Sequence, residues 1–189
     1  MHLERDIENV LVDNVSSLGY PDAVAIRNVN LVPRTGRADV ILLPREGLHR
    51  LVVIEVKRAD APQAAADVVG QLMKYYSQAL TLGIDGLERL REYGEANPEE
   101  ATGTNRTTPN SVFDEAKNRE ARERKLREGR ALHPKEVALF IALNGKPQDV
   151  LKQIITVLDV HHALPIGVIR IDDDSVRVLA GADVTSKMR

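Results

Sequence analysis

The sequence predicts an α/β domain built on an αβββαβ core, and three features of the chain lead to that fold class. Residues 3–18 carry apolar side chains at helical spacing and end at Gly19, as an amphipathic helix does. Residues 23–58 contain three short runs rich in Val and Ile, separated by PRTG and PREG, which is typical of an antiparallel meander. Residues 137–180 read as strand, helix, strand and a further short strand, which indicates a parallel pair added to the same mixed sheet.

A second helix is expected between these blocks, from about Ala61 to Leu82. Asp60 can cap its start, and Gln63 stands three residues later, where it can reciprocate. The stripe expected to face the sheet consists of Val69, Leu72, Met73, Tyr76 and Leu80.

Composition narrows the classes of function that the chain can have. Its 189 residues are enough for a single domain, and the formal net charge of −2 means that any nucleic acid would be bound by a local basic patch. The absence of Cys excludes disulfides, thiol nucleophiles and zinc sites with Cys ligands. Aromatic residues make up 3% of the chain, too few to favour a base-stacking platform. No membrane span or signal peptide is visible, so we expect a cytoplasmic protein.

Residues 84–134 are expected to form a long charged insertion after the second helix, partly disordered or helical. The segment has few large apolar residues, a stretch rich in Thr, Asn and Pro, and a run dense in both charges. A tolerated surface insertion is the simpler interpretation, and a nucleic-acid arm or an oligomer contact is the alternative.

Three charged residues in the predicted meander form the candidate site. Side chains alternate between the two faces of a strand, so Glu55 and Lys57 share one face while Ile54 and Val56 join the core. Asp39 lies near the start of the preceding strand, and the hairpin brings it alongside Glu55. The sequence therefore places two carboxylates and an ammonium group at one end of an aliphatic sheet.

This grouping favours a metal site. Two neighbouring carboxylates repel each other unless a cation lies between them, and Mg²⁺ prefers oxygen ligands of this kind. Taken singly, Glu-x-Lys is also common as an exposed ion pair, and Asp39 could be a plain strand-start residue. The order of the helices and strands around all three residues favours the metal site over these simpler interpretations.

That order, with GRADVILL, LVVIEVKRAD and VVGQLMKYY as its motifs, resembles the PD-(D/E)XK nuclease superfamily, which has the restriction-endonuclease-like fold. Residues 3–83 carry the resemblance, and residues 137–180 fit the remainder of that fold. The chain looks most like the N-terminal nuclease domain of type I restriction subunits and the nuclease domain of archaeal-type mismatch and flap endonucleases. Ala38 stands where the motif's name has Pro, a replacement that the superfamily tolerates.

The resemblance implies a role for each matching residue. Asp39 and Glu55 would bind Mg²⁺, or Mn²⁺ in its place, together with the Val56 carbonyl, and Lys57 would serve the attacking water and the transition state. Other residues would add to the site. Gln71 on the second helix would orient it, and one acid of the first helix, Glu8 or less favourably Glu4, would extend the metal shell.

Hydrolysis of DNA phosphodiester bonds is the function that these residues predict. The alternatives are an inactive nucleic-acid-binding or assembly module of the same fold, and a nuclease acting on RNA or branched structures. A homodimer and a helicase or methylase partner in trans stay open. The candidate contacts to a phosphate backbone are Arg27, Arg34, Arg37, Arg58, Lys74 and Tyr75.

Three further features receive simpler interpretations. His49 is expected to be a solvated turn residue, although it lies near enough to the site to be a substrate contact. His161 and His162 are expected to be exposed at a helix end, and Asp172–Asp174 to form a turn between two strands.

Overall fold

A computed structural model describes residues 4–31, 36–58, 64–96, 131–145, 149–162, 164, 166–172 and 175–180. The helices are α1 (Glu4–Asp13), α2 (Ala64–Ala96) and α3 (Asp149–His162), with 3₁₀ turns at Val15–Leu18 and Pro134–Glu136. The strands are β1 (Val24–Val29), β2 (Ala38–Leu43), β3 (Leu51–Arg58), β4 (Val137–Asn144), β5 (Ile166–Asp172) and β6 (Ser175–Ala180).

The strands form one mixed six-stranded sheet whose spatial order follows the chain, β1-β2-β3-β4-β5-β6. β1, β2 and β3 pair antiparallel, as the expected meander requires. β4 lies parallel to β3, β5 lies parallel to β4, and β6 returns antiparallel along β5. The predicted α/β class and the parallel strand-helix-strand unit are therefore confirmed.

Helices cover both faces of the sheet. On one face α2 and α3 pack through residues such as Leu72 and Ile155, and on the other face α1 packs through Ile7 and Leu11. The central strand β3 is consequently buried on both sides from Leu51 to Val56. No helix within the described residues is both long enough and apolar enough to cross a membrane.

The first helix is shorter than its apolar pattern suggests. It ends at Asp13, and the chain continues as the 3₁₀ turn Val15–Leu18 up to Gly19, which has a φ of 84°. At Asn14 the backbone N–H and the side-chain amide both donate to the Val10 carbonyl, at 3.1 and 2.8 Å, so the side chain adds a hydrogen bond at the last turn of α1. The stop at Gly19 is confirmed.

The second helix is longer than expected, which corrects the boundary of the charged insertion. α2 continues past Leu82 through a kink at Gly83, where φ is 67°, and extends to Ala96. Leu87 and Leu90 are buried in the core beneath it. The residues from 84 to 96 thus belong to the packed domain and not to a solvated arm. The rest of the proposed insertion, up to residue 130, and the first residues of the predicted helix, 61–63, lie outside the described residues.

The close packing of this second half of α2 can be tested with two glycines of the same helix. A Cβ on Gly94 would lie 2.6 Å from Cγ1 of Val24 on β1, whereas a Cβ on Gly70 would meet nothing within 4 Å. We expect Gly70→Ala to raise the free energy of unfolding by about 0.5–1 kcal/mol through helix propensity. Gly94→Ala should lower it by about 1 kcal/mol, because the overpacking exceeds the same propensity gain. Urea unfolding measures both changes, and equal stabilisation by the two would show that Gly94 does not pack on β1.

Candidate functional site

The candidate site lies where β2 and β3 stop pairing. Their paired residues run from Leu42 and Val52 to Val40 and Ile54. Beyond the last pair, the Val56 N–H donates to Oδ2 of Asp39 at 2.7 Å. A side-chain carboxylate thus takes the place of a strand carbonyl, which fixes Asp39 against β3.

Glu55 and Lys57 occupy the same face of β3, as the strand alternation predicts. Lys57 Nζ lies 2.7 Å from Oε1 of Glu55. Glu55 is 2% exposed, and its Oε2 is buried and accepts no hydrogen bond from the described residues. On the β4 side the residues in register are Ile141 and Leu143, whose side chains cannot donate a hydrogen bond. Glu55 therefore keeps one enclosed oxygen with spare capacity for a cation or a donor.

The electrostatics of the pair are those of two crowded acids beside one cation. Burial, reinforced by repulsion from Asp39, raises the pKa of Glu55 from 4.5 to about 7. Burial also raises the pKa of Asp39, although the Val56 N–H and the charge of Lys57 oppose the change. Burial alone would lower the pKa of Lys57, but the hydrogen bond and the charge of Glu55 outweigh it and raise that pKa. Lys57 is therefore a firmly protonated ammonium group in this state.

The first helix adds a further carboxylate, and the structure distinguishes its two candidates. Glu8 is 8% exposed, and burial followed by repulsion from Asp39 raises its pKa from 4.5 to about 7. The amide of Asn28 donates to Oε2 of Glu8 at 3.4 Å. Glu4 is exposed one turn earlier and acts on Asp39 and Lys57 only through its charge. Glu8 is therefore the acid that belongs to the buried cluster.

The second helix holds the segment that leads into Asp39. Tyr75 is 3% exposed, and its hydroxyl donates to the Arg37 carbonyl. Burial, with a contribution from the charges of Glu55 and Asp39, raises the pKa of Tyr75. The ring is thus enclosed and supports the site instead of offering a face to a nucleotide. Gln71 lies one turn earlier, and its Oε1 is buried and accepts no hydrogen bond from the described residues.

The predicted basic contacts fall into different environments. Arg37 and Lys74 are exposed beside the site, and Lys74 Nζ lies 2.7 Å from where a Cβ of Gly36 would be. Arg58 is half-buried at the end of β3. Arg27 is 4% exposed and donates to Oδ1 of Asn9 on α1, so its predicted role as a surface phosphate contact is wrong. Arg34 lies outside the described residues.

The solvated-turn interpretation of His49 is also wrong. His49 is 5% exposed, and its Nδ1 lies 2.8 Å from the Tyr20 hydroxyl. It precedes β3, whereas Glu55 and Lys57 lie towards the other end of that strand, so it does not join the site. His161 and His162 do lie at the end of α3, and Asp172 ends β5 just before β6, while Asp173 and Asp174 fall outside the described residues.

The donors at the site suit an ion that keeps much of its water. Within the part of the chain that the structure describes, no three His, Cys, Asp or Glu side chains are arranged to hold a metal together. Two carboxylates, Asp39 and Glu55, and the main-chain carbonyl of Val56 are the donors at hand. Mg²⁺ is usually bound by one or two carboxylates, with waters and substrate oxygens as its other ligands. The enclosed, unsatisfied Oε2 of Glu55 fits such an ion.

Comparisons with known proteins assign no family to this chain. No family model, no curated protein and no solved structure matches it.

Sequence reasoning did not find Asn28. This residue has a φ of 53° and is the one residue other than Gly with positive φ within the described residues. The single available signal was an Asn inside a segment rich in Val and Ile, where the pattern otherwise predicts a regular strand. An isolated Asn does not reveal a left-handed backbone, so the signal was too weak to use.

The raised pKa values predict how stability depends on pH. An acid whose pKa is higher in the folded state stabilises the fold below its ordinary pKa, and that contribution is lost as pH rises through the folded pKa. For Glu55 the loss spans 4.5 to about 7. In EDTA, Glu55→Gln should therefore gain stability over the wild type as pH rises from about 5 to about 8, by on the order of 2 kcal/mol.

Urea unfolding of both proteins across this pH range measures the difference. Glu92→Gln is the matched control, because it removes an exposed glutamate of α2, away from β3. A stability difference between Glu55→Gln and the wild type that is independent of pH would contradict the crowding of Glu55 and Asp39.

Proposed function

We propose that the chain is a metal-dependent nuclease that hydrolyses DNA phosphodiester bonds. The observation that carries this proposal is the meeting of Asp39, Glu55 and Lys57 at the diverging ends of β2 and β3. Two carboxylates, one of which has a buried oxygen that accepts no hydrogen bond from the described residues, and an ammonium group suit metal-assisted phosphoryl chemistry.

A purely structural role explains this set less well. Burial raises the pKa of both Asp39 and Glu55, and repulsion from Asp39 raises that of Glu55 further. A buried ion pair is often no more stabilising than apolar residues of the same volume. The positions of β3 from Leu51 to Ile54 and of β4 from Val137 to Leu143 are all apolar and buried, so an aliphatic residue at position 55 would suit the sheet better. Retaining two destabilising acids at one point is expected of a functional site.

Asp39, Glu55 and the Val56 carbonyl would hold the divalent ion. The ion, when bound, lowers the pKa of its water and offsets charge that develops on the phosphate. Lys57 keeps its proton because its pKa is raised, so we assign it as a donor to the attacking water or to a phosphate oxygen and not as the base. The role of the two acids is to bind the ion. The role of Lys57 is to orient the attacking water or to stabilise the charge on a phosphate oxygen.

Residues from the two helices complete the proposed site. Gln71 has an enclosed amide oxygen that can accept a hydrogen bond from a water at the site. Glu8 supplies a further carboxylate from α1. Arg37, in the chain segment leading to Asp39, and Lys74, whose Nζ lies near Gly36 of that segment, are both exposed and suit the phosphates of a DNA strand. Binding through such contacts would weaken as salt concentration rises.

Variants of the acids and of Lys74 should fail in different ways. We expect Asp39→Asn, Glu55→Gln and Lys57→Met to lower kcat on DNA in Mg²⁺ or Mn²⁺ by on the order of 100–1,000-fold, because each removes a group that acts on the reacting phosphate. Lys74→Ala should instead raise KM and reduce the salt dependence of binding, since it would lose one phosphate contact.

The assay uses single-stranded, duplex, flap and junction DNA together with the matching RNA forms. Asp22→Asn, which alters an exposed acid in the turn before β1, is the control and should retain activity. Cleavage of RNA alone would correct the substrate class. Equal residual activity in the wild type, Glu55→Gln and Lys57→Met, with nucleic acid still bound, would replace the enzyme by an inactive binding module.

A further inference from the structure

Asn28 is strained inside a strand. Its φ of 53° places it in the left-handed region, which residues with a side chain rarely adopt and which Asn tolerates better than most. Such residues usually occur in turns or at helix ends, yet Asn28 lies within β1, between residues paired with β2. Strain of this kind persists where the surroundings enforce it, and it concentrates at functional sites.

The position of Asn28 in the sheet is next to the candidate site. Arg27 pairs with Val40 and Val29 pairs with Ala38, so Asn28 lies opposite Asp39 across the β1–β2 pair. The register of β2 and β3 in turn runs towards Glu55 opposite Asp39. The strained residue thus stands in the same row across the sheet as the two carboxylates.

The side chain of Asn28 connects this row to the first helix. Its Nδ2 donates to Oε2 of Glu8 at 3.4 Å. The preceding residue, Arg27, donates to Asn9, which follows Glu8 on α1. Two consecutive residues of β1 therefore bind two consecutive residues of α1.

Docking of the helix alone does not account for Asn28. Ile7 and Leu11 already pack α1 on the sheet, and Arg27 provides a polar contact without a strained backbone. What Asn28 adds is a hydrogen bond to a carboxylate that burial and the charge of Asp39 both disfavour. Without a donor, the ionised Glu8 would turn away from Asp39 towards solvent.

We propose that Asn28 is a positioning residue that holds the Glu8 carboxylate beside Asp39. The inference rests on the proposed function for its consequence in metal binding, but the contact itself is independent of that function. In a regular strand Asn28 would place its side chain on the face opposite that of Arg27. The left-handed backbone at position 28 instead lets the side chains of both residues reach α1.

The contact is tested first without metal, by NMR of the Asn28 side-chain amide. In the wild type, in EDTA, one of its two protons should be shifted downfield and exchange slowly with solvent. In Glu8→Ala both protons should move to solvent-like positions. An Asn28 amide that is unaffected by Glu8→Ala would overturn the proposal.

The expected effect of Asn28 on metal binding is tested by Mn²⁺ titration of the full chain. Asn28→Gly keeps the left-handed backbone without a steric penalty and removes only the amide. We expect it to raise the Kd for Mn²⁺ about tenfold, the lower end of the effect of losing a residue that orients a metal ligand, while Tm stays close to that of the wild type. Asn30→Gly is the matched control, because it places the same flexible residue two positions along the chain, and it should change the Kd less than twofold.

The two readouts separate the proposals. Asn28→Gly with wild-type Mn²⁺ affinity would overturn the positioning role and leave the nuclease proposal standing. A wild type that binds no Mn²⁺ and cleaves no nucleic acid would sink the nuclease proposal, and the Asn28 amide resonance would then decide alone whether Asn28 holds Glu8.

Discussion

The candidate site depends on one hydrogen bond, from the Val56 N–H to the Asp39 carboxylate. It forms where β2 and β3 cease to pair through their backbones, so a side chain enters the space that a strand carbonyl would fill. The register of the two strands already runs towards Asp39 opposite Glu55, and the hydrogen bond holds the Asp39 carboxylate against β3, the strand that carries Glu55.

The surrounding fold can tolerate such an unfavourable cluster. β3 and β4 are buried along nearly their whole lengths, and helices cover both faces of the sheet. The packing of these aliphatic residues offsets the desolvation of the carboxylates, whose pKa values are all raised in the absence of a cation. The arrangement combines a rigid scaffold with local electrostatic strain, which suits a site that is completed by a bound ion.

Periodicity predicted the scaffold well, because the central strands are almost purely aliphatic and are separated by clear turn signals. It also predicted the shared face of Glu55 and Lys57, which follows from strand alternation alone. Two kinds of feature escaped it. The predicted end of α2 at Leu82 falls at the kink, where Gly83 has a positive φ but the helix continues to Ala96. The burial of Arg27 and His49 and the left-handed backbone of Asn28 depend on partners distant in the sequence, namely Asn9, Tyr20 and Glu8.

The central claim is that Asp39 and Glu55 together bind a divalent cation. Diffraction from crystals soaked in Mn²⁺, with data collected at the manganese absorption edge, tests it most directly. We predict an anomalous peak between the Asp39 and Glu55 carboxylates, in contact with the Val56 carbonyl, with Oε2 of Glu55 as one of its ligands. Crystals that show no peak there at saturating Mn²⁺, with Glu55 still paired to Lys57 alone, would contradict the claim.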